Sequence, residues 1–242
     1  MIKKTGLKYS FSVFGTAPKT CYVHTENLEK KLKRKYSVLV PDCIDGQTSL
    51  IFSRHGNNVD CYETNNILLN GGIIDSYRTI GLYKKIEYED FKDLVNVYEN
   101  NFYTLKADKK YDFVYCYRSL HLEKNKSISM ERKIKRLMSS VKLGGYLYIF
   151  YYMADDENDY VKYPHNQYLR EYEIKKLFDS NNWTIEFCIE NKIRQHGPHP
   201  YNKKIHFHKV GTILVKRINT RNKYMYHYIY KINRKLLNNN KS

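Results

Sequence analysis

The segment VLVPDCIDGQTSLIFSRHGNNVDCYE, which runs from Val38 to Glu63, decides the predicted fold. It opens with an apolar run of the kind that is buried in a parallel sheet. A turn at Pro41–Gly46 and a helix from about Gln47 to His55 follow, and a second strand ends in an acid. This order is typical of a nucleotide-binding βαβ unit.

Strands and helices continue to alternate after this unit, which predicts a mainly parallel sheet covered on both faces. The first strand is expected at Tyr36–Val40 and the second at Asn58–Glu63. The later strands are expected at Val95–Asn100, Asp112–Tyr117, Tyr146–Met153, Trp183–Glu190 and Ile205–Lys216, and the later helices at Met130–Lys142 and Tyr168–Ser180. The predicted class is α/β, a Rossmann-like, doubly wound, mainly parallel seven-stranded sheet with one antiparallel strand near the C-terminal end.

The length of 242 residues favours one sizeable domain with appendages. We expect a basic N-terminal cap segment over 1–35, the main domain over 36–217 and a basic, Tyr-rich tail over 218–242. No stretch approaches the roughly 18 apolar residues that span a bilayer, and no apolar run follows the first lysines as in a signal peptide. The five cysteines include no CxxC pair, which favours a reducing, cytoplasmic location.

The net charge of +17 lies at the two ends of the chain. Residues 1–35 hold nine Lys and Arg against two acids, and residues 216–242 hold eight against none. Basic ends of this kind bind RNA or another anionic surface, and the codon bias of an AT-rich genome is an equally good explanation. In the tail YMYHYIYKINRK, tyrosines alternate with basic residues, which suits RNA or packing on the domain or on a second subunit of a homodimer.

Glu63 lies 21 residues after Asp42, close to the separation at which an acid beyond the second strand accepts hydrogen bonds from ribose hydroxyls. This spacing alone fits a dinucleotide and S-adenosyl-L-methionine equally. A dinucleotide fingerprint also needs glycines spaced as GxGxxG, and here Asp42 and Ile44 stand in the turn.

Five segments in order resemble the class I S-adenosylmethionine-dependent methyltransferases of the tellurite-resistance and thiopurine type. They are FGTAPK, the segment quoted above, YDFVYCYRSLH, LMSSVKLGGYLYIF and QYLREYEIKKLFDSNNWTIEFCIEN, and the resemblance covers about residues 11–217. It implies an enzyme that uses S-adenosyl-L-methionine to methylate a small molecule. We expect the acceptor group to be a hydroxyl of a small molecule or carbohydrate, with or without a phosphate.

The resemblance also implies cofactor contacts by position. Glu63 would grip the ribose hydroxyls, and Asn101 would accept from the adenine amino group. The full implied set is Pro41, Asp42, Cys43, Gly46, Glu63, Thr64, Asn101, Phe102, Tyr117 and Arg118.

This chain departs from the family in the turn, where the family usually has Gly-Cys-Gly-x-Gly. Asp42 and Ile44 replace the first two glycines, and Ile poorly tolerates a positive φ. Asp42 would compensate by pairing with the cofactor's amino group. A non-catalytic binding module derived from this fold is the alternative.

Methyl transfer to a hydroxyl needs alignment and a base, and histidine titrates in the useful range. The candidate bases are His121, His165 and His199, and the candidate acceptor-binding residues are Tyr168, Arg170, His196 and His208. Arg118, Arg170 and Arg194 would form a positive mouth for an anionic acceptor, or they pair with Asp155, Asp156 or Glu171. HGPH and HFH together offer four imidazoles, so a zinc or nickel site is a further alternative.

Overall fold

A computed structural model of the chain describes residues 12–106, 109–154, 167–170, 172–178, 180–196 and 204–218. Its strands are β1 (Ser37–Val40), β2 (Asn58–Tyr62), β3 (Gly72–Ile74), β4 (Tyr77–Thr79), β5 (Val95–Tyr98), β6 (Tyr111–Cys116), β7 (Val141–Met153), β8 (Tyr168–Leu169), β9 (Trp183–His196) and β10 (His206–Arg217). Its helices are α1 (Lys19–Leu32), α2 (Ser49–Arg54), α3 (Asn66–Asn70), α4 (Leu82–Tyr88), α5 (Met130–Ser139) and α6 (Glu173–Lys176).

The main sheet has the strand order β5-β2-β1-β6-β7-β10-β9. Strand β1 lies between β2 and β6 and is parallel to both, and β10 is antiparallel to β7 and to β9. The predicted Rossmann-like sheet with one antiparallel strand near its C-terminal end is therefore confirmed. The two-residue strand β8 also pairs with β7, as an eighth member that the sequence did not suggest.

Apolar side chains fill both faces of this sheet, as the alternation of elements predicts. On one face, Cys21 and Leu28 of α1 pack with Ile51 of α2 against the strands. On the other face, Ile134 of α5 and Ile174 of α6 pack against the same strands. Strand order reverses at β1, so the ends of β1, β2 and β6 form the switch point where such sheets bind ligands.

The segment LGG, expected to end a helix over Met130–Lys142, lies inside a strand. Helix α5 stops at Ser139, and β7 already begins at Val141 with an irregular register against β6. Gly145 allows this pairing, since a Cβ there would lie 2.9 Å from the carbonyl oxygen of Asp112. Strand β7 is longer than predicted because the residues from Val141 onward pair with the distant strand β6.

The helix expected over Tyr168–Ser180 is wrong. Tyr168 and Leu169 pair with the end of β7, and helix α6 keeps only four residues. Tyr172 stands before it with φ of 60°, a left-handed conformation that a continuous helix does not contain. The apolar residues are spaced as in a helix, but Tyr168 and Leu169 form a strand because they pair with β7.

Helix α1 has Pro18 as its N-cap, and it ends before Lys33, which takes a left-handed conformation. In the described ranges, no helix has both the length and the apolar content required to cross a membrane. The proposed division into segments 1–35, 36–217 and 218–242 stays a prediction.

Candidate active site

The loop after β1 has three residues with a positive φ, and only one of the three is a glycine. Asp42, Ile44 and Gly46 have φ of 52°, 57° and 93°. The left-handed region is uncommon for Asp and unfavourable for a β-branched residue. Asp42 and Ile44 therefore take, at a conformational cost, backbone angles that glycine adopts freely. Pro41 and Cys43 are buried in the same loop, and their contacts with a cofactor stay predictions.

A buried ion pair holds this loop in place. Asp45 Oδ2 lies 2.9 Å from Lys85 Nζ, and the two residues are 0% and 3% exposed. The same oxygen accepts hydrogen bonds from the Val13 amide at 3.1 Å and from the Thr79 hydroxyl at 3.2 Å. These contacts fix the loop from three separate segments, which offsets the strain at Asp42 and Ile44.

The turn FGTAPK near the N-terminus docks on the start of the following helix. Gln47 Nε2 donates to the carbonyl oxygens of Phe14, Gly15 and Thr16 at 3.1 to 3.3 Å. One side chain thus ties the N-terminal turn to the loop after β1, so both belong to one site.

Glu63 follows β2 and points back across the loop. Its Oε2 accepts from the Ile44 amide at 3.1 Å, and its Oε1 accepts from the amides of Thr64 at 2.7 Å and Asn65 at 3.0 Å. Lys124 Nζ donates to the same Oε1 at 2.6 Å. In the described part of the chain, Oε2 has room for one more donor, and the ribose contact of Glu63 stays a prediction.

Asp42 organises the loop that follows β6. Its Oδ1 lies 2.8 Å from Lys124 Nζ. Its Oδ2 accepts from the Ser119 hydroxyl and from Asn125 Nδ2, the latter at 2.9 Å. The amino group that Asp42 contacts here is therefore that of Lys124, whereas the sequence predicts a contact with a cofactor.

Lys124 bridges the two carboxylates and is largely buried. Burial alone lowers the pKa of an ammonium group, but the charges of Asp42 and Glu63 outweigh that effect and raise the pKa of Lys124. Lys124 is therefore charged over the physiological range.

Asn101 and Phe102, expected beside adenine, begin the turn after β5. Asn101 Oδ1 accepts from the Tyr103 amide at 2.9 Å and keeps a second lone pair, while its Nδ2 donates to Asn125 at 2.9 Å. The Phe102 ring is buried and packs edge-on against Tyr62 at 5.3 Å. The roles of both residues, and that of Thr64, stay predictions.

Two arginines, Arg118 and Arg194, lie close to the Tyr117 ring just after β6. The guanidinium carbons of Arg118 and Arg194 lie 5.2 Å and 5.9 Å from the centre of the Tyr117 ring. Arg118 takes a left-handed φ of 60°, and its buried Nε has no hydrogen-bond partner within the described ranges. Asp155, Asp156 and Glu171, considered as partners for these arginines, lie outside the described residues.

Tyr152, near the end of β7, lies between two of the predicted histidines. The rings of His121 and His208 stack on it with centroid distances of 3.9 Å and 4.1 Å. Two rings this close cannot share one face, so they lie on opposite faces of Tyr152. Burial raises the pKa of Tyr152, and the charges of Arg118 and Arg194 oppose that rise.

The remaining acceptor candidates are only partly brought to this cluster. The Tyr168 ring lies 5.9 Å from that of Tyr152. Arg170 instead turns toward Glu173, whose Oε2 accepts from the Arg170 amide at 2.6 Å and whose Oε1 lies 3.9 Å from its Nε.

The last candidates are histidines of the β9–β10 hairpin and of the segment before β8. His196 ends β9 opposite His206, and His165 and His199 lie outside the described residues. Among the described residues, no group of three or more His, Cys, Asp or Glu side chains could hold a metal ion. The full histidine cluster of the metal alternative extends beyond them.

Several residues of this site carry no signal in the sequence. Ser119, Lys124 and Asn125 lie in a polar loop whose spacing is neither helical nor extended, and Tyr152 reads as an ordinary residue of a buried strand. Their roles come from the approach of the loop after β6 to the loop after β1, which only the sheet order fixes.

No protein-family model and no curated protein matches the sequence. Solved structures do match. TehB from Haemophilus influenzae is 20% identical with a TM-score of 0.59, and the match covers 81% of this chain and 62% of the Haemophilus chain, so this chain spans less than two thirds of that protein. Magnesium protoporphyrin IX methyltransferase (ChlM) from Synechocystis PCC 6803, with bound SAH, is 15% identical with a TM-score of 0.52, over 82% of each chain.

A third match is the 1,6-didemethyltoxoflavin-N1-methyltransferase from Burkholderia thailandensis, with bound 1,6-didemethyltoxoflavin and S-adenosylhomocysteine. It is 13% identical with a TM-score of 0.50, over 82% of this chain and 78% of that chain. The chain has the fold of the S-adenosylmethionine-dependent methyltransferases.

Proposed function

We propose that this protein is an S-adenosylmethionine-dependent methyltransferase that acts on a hydroxyl of a small-molecule or carbohydrate acceptor. The observation that carries the proposal is the position of Glu63, a buried carboxylate at the switch point of a methyltransferase fold, beside a loop with a glycine-like backbone. Two of the similar structures hold the demethylated cofactor, which supports this choice of cofactor.

The residues present suit an adenosyl group. Glu63 Oε2 can accept a hydroxyl donor, and Asn101 Oδ1 retains a lone pair for an amino donor. The loop backbone at Asp42, Ile44 and Gly46 takes the positive φ angles that glycines normally supply at such a turn. When bound, the cofactor supplies an electrophilic methyl on a sulfonium, so the protein has chiefly to align the acceptor and remove its proton.

The cluster around Tyr152 is the proposed acceptor side. His121 is the proposed base, and its stacking on Tyr152 fixes the orientation of its ring. Arg118 and Arg194 would bind an anionic group of the acceptor, such as a phosphate or carboxylate. This arrangement supports a phosphate-bearing acceptor over an uncharged one.

Replacing Glu63 by Gln tests the cofactor assignment. We expect the affinity for S-adenosylhomocysteine, measured by titration calorimetry, to fall about 10- to 100-fold, because hydrogen bonds to a charged acceptor contribute about 1.5–3 kcal/mol. Glu99→Ala, beyond the neighbouring strand β5, is the control and should bind as the wild type does. A folded wild-type protein that binds neither S-adenosylmethionine nor its product would refute the proposal.

Two alternatives predict different measurements. An RNA methyltransferase that uses the basic ends of the chain would bind RNA with an affinity that falls steeply with salt, and one similar structure is described as a putative rRNA-methylase from Clostridium thermocellum. A non-catalytic module would give the same ligand titrations for the wild type and for the Glu63→Gln variant, since neither would bind an adenosyl group.

A further inference from the structure

Lys124 contacts both carboxylates of the candidate cofactor site. Its Nζ lies 2.6 Å from Glu63 Oε1 and 2.8 Å from Asp42 Oδ1. The Lys124 side chain is 26% exposed, whereas each carboxylate is 2% exposed. The ammonium group therefore lies inside the site and not at its rim.

The contact with Glu63 uses acceptor capacity that a ribose needs. Oε1 already accepts from two backbone amides, Thr64 and Asn65, so Lys124 is its third donor. Oε2 accepts from Ile44 alone within the described residues. Each carboxylate oxygen has about two acceptor positions, so Oε1 is already crowded by three donors, and a ribose with two adjacent hydroxyls finds one vacant position, on Oε2, while Lys124 is in place.

The charges explain why a lysine stands there. Asp42 and Glu63 are two buried acids near each other, and an uncompensated buried charge is strongly unfavourable. Lys124 supplies the compensating cation in the protein alone. S-adenosylmethionine also carries cationic groups, a sulfonium and an ammonium, so it can replace Lys124 without leaving the two carboxylates unpaired.

Lys124 can leave without moving its loop, because other contacts hold the loop. Ser119 and Asn125 bond to Asp42 Oδ2, and Lys133 Nζ donates to the Leu120 carbonyl oxygen at 2.6 Å. The four-carbon stem of Lys124 can then rotate toward solvent.

We infer that Lys124 is an internal competitor of the cofactor: its ammonium group occupies the Glu63 and Asp42 carboxylates, and binding of the adenosyl ligand displaces it. The inference rests on the proposed function. It makes Lys124 a determinant of cofactor affinity that acts through charge and through the donor capacity of Glu63.

The test is Lys124→Met, which keeps the approximate length of the side chain and removes its charge. By titration calorimetry we expect S-adenosylmethionine to bind about tenfold more tightly than to wild type, and the uncharged-sulfur product to gain less. Lys126→Met is the matched control, because Lys126 is exposed in the same loop and its loss removes the same charge. Lys124→Gln replaces the Met variant if circular dichroism shows that the latter is unfolded.

A second measurement follows Lys124 directly. In ¹⁵N-lysine NMR spectra, its ammonium protons should be protected from exchange without ligand and should lose that protection at saturating S-adenosylhomocysteine. Equal or weaker cofactor affinity in the Lys124 variants, or protection that survives saturation, would overturn the inference while the proposed function stands. Wild type and variants that all fail to bind either ligand would overturn both.

Discussion

Two residues of this site have unfavourable backbone conformations, and contacts with other residues offset that conformational cost. Asp42 and Ile44 take backbone conformations that glycine adopts freely. Ile44 is buried with Leu68 and Ile74, so its side chain gains packing where glycine would have none. Asp42 gains bonds from the loop after β6, donated by Ser119, Lys124 and Asn125. In the loop after β1, side-chain contacts of Asp42 and Ile44 thus stabilise a backbone conformation that glycines would adopt without strain.

The ion pair of Asp45 with Lys85 gives a prediction at this scale. Asp45→Asn leaves a buried lysine without its charge partner, and we expect the free energy of unfolding to fall by about 3 kcal/mol. Urea denaturation followed by circular dichroism measures this change. Glu87→Gln is the control, because its pair with Lys92 is well exposed and contributes less than about 1 kcal/mol. A similar small loss in both variants would show that the Asp45 pair does not clamp the loop.

At the scale of elements, helix α5 supports the loop that carries Lys124 in the candidate site. Its N-terminus follows the loop that carries Lys124, and Lys133 on its first turns is buried beneath that loop. Burial lowers the pKa of Lys133 to about 8. The start of this helix therefore sets the position of the residues that contact Asp42.

Ser129 is the N-cap of α5, and its hydroxyl accepts from the Arg132 amide at 3.3 Å. We expect Ser129→Ala to lower the free energy of unfolding by about 1 kcal/mol, which thermal or urea unfolding resolves. Ser127→Ala, an exposed change just before the helix, should leave stability nearly unchanged. If both substitutions have the same effect, the cap does not stabilise the helix.

At the scale of the whole molecule, α1 covers one face of the sheet with a histidine in the contact. His24 is buried, and its ring lies 4.9 Å from that of Tyr148 and 5.6 Å from that of Phe187. Its Nε2 has no hydrogen-bond partner among the described residues. Burial lowers the pKa of His24 to about 4.

This shift predicts how stability depends on pH. The unfolded chain protonates His24 near pH 6.5, but the folded chain resists protonation until about pH 4. The stability associated with neutral, buried His24 is therefore fully present above pH 6.5. It is lost as the pH falls from 6.5 to 4, which lowers the free energy of unfolding by up to about 3 kcal/mol. His24→Phe should flatten the unfolding free energy over this interval and leave its pH dependence above 6.5 unchanged. An unaltered acid slope in the variant would contradict the burial of a neutral His24.

The class of fold, the order of the main strands along the chain and the position of Glu63 directly after the second strand could be predicted from local patterns, because buried strands and helices differ in the period of their apolar residues and are bounded by turn and cap residues. The same patterns were misleading over Tyr168–Ser180 and at the start of β7, where pairing with a distant strand overrides local spacing. The positions of Lys124 between two carboxylates and of Tyr152 between two histidine rings emerge only from the folded molecule. Such contacts between loops depend on how the sheet brings strand ends together, and no local pattern in the chain records them.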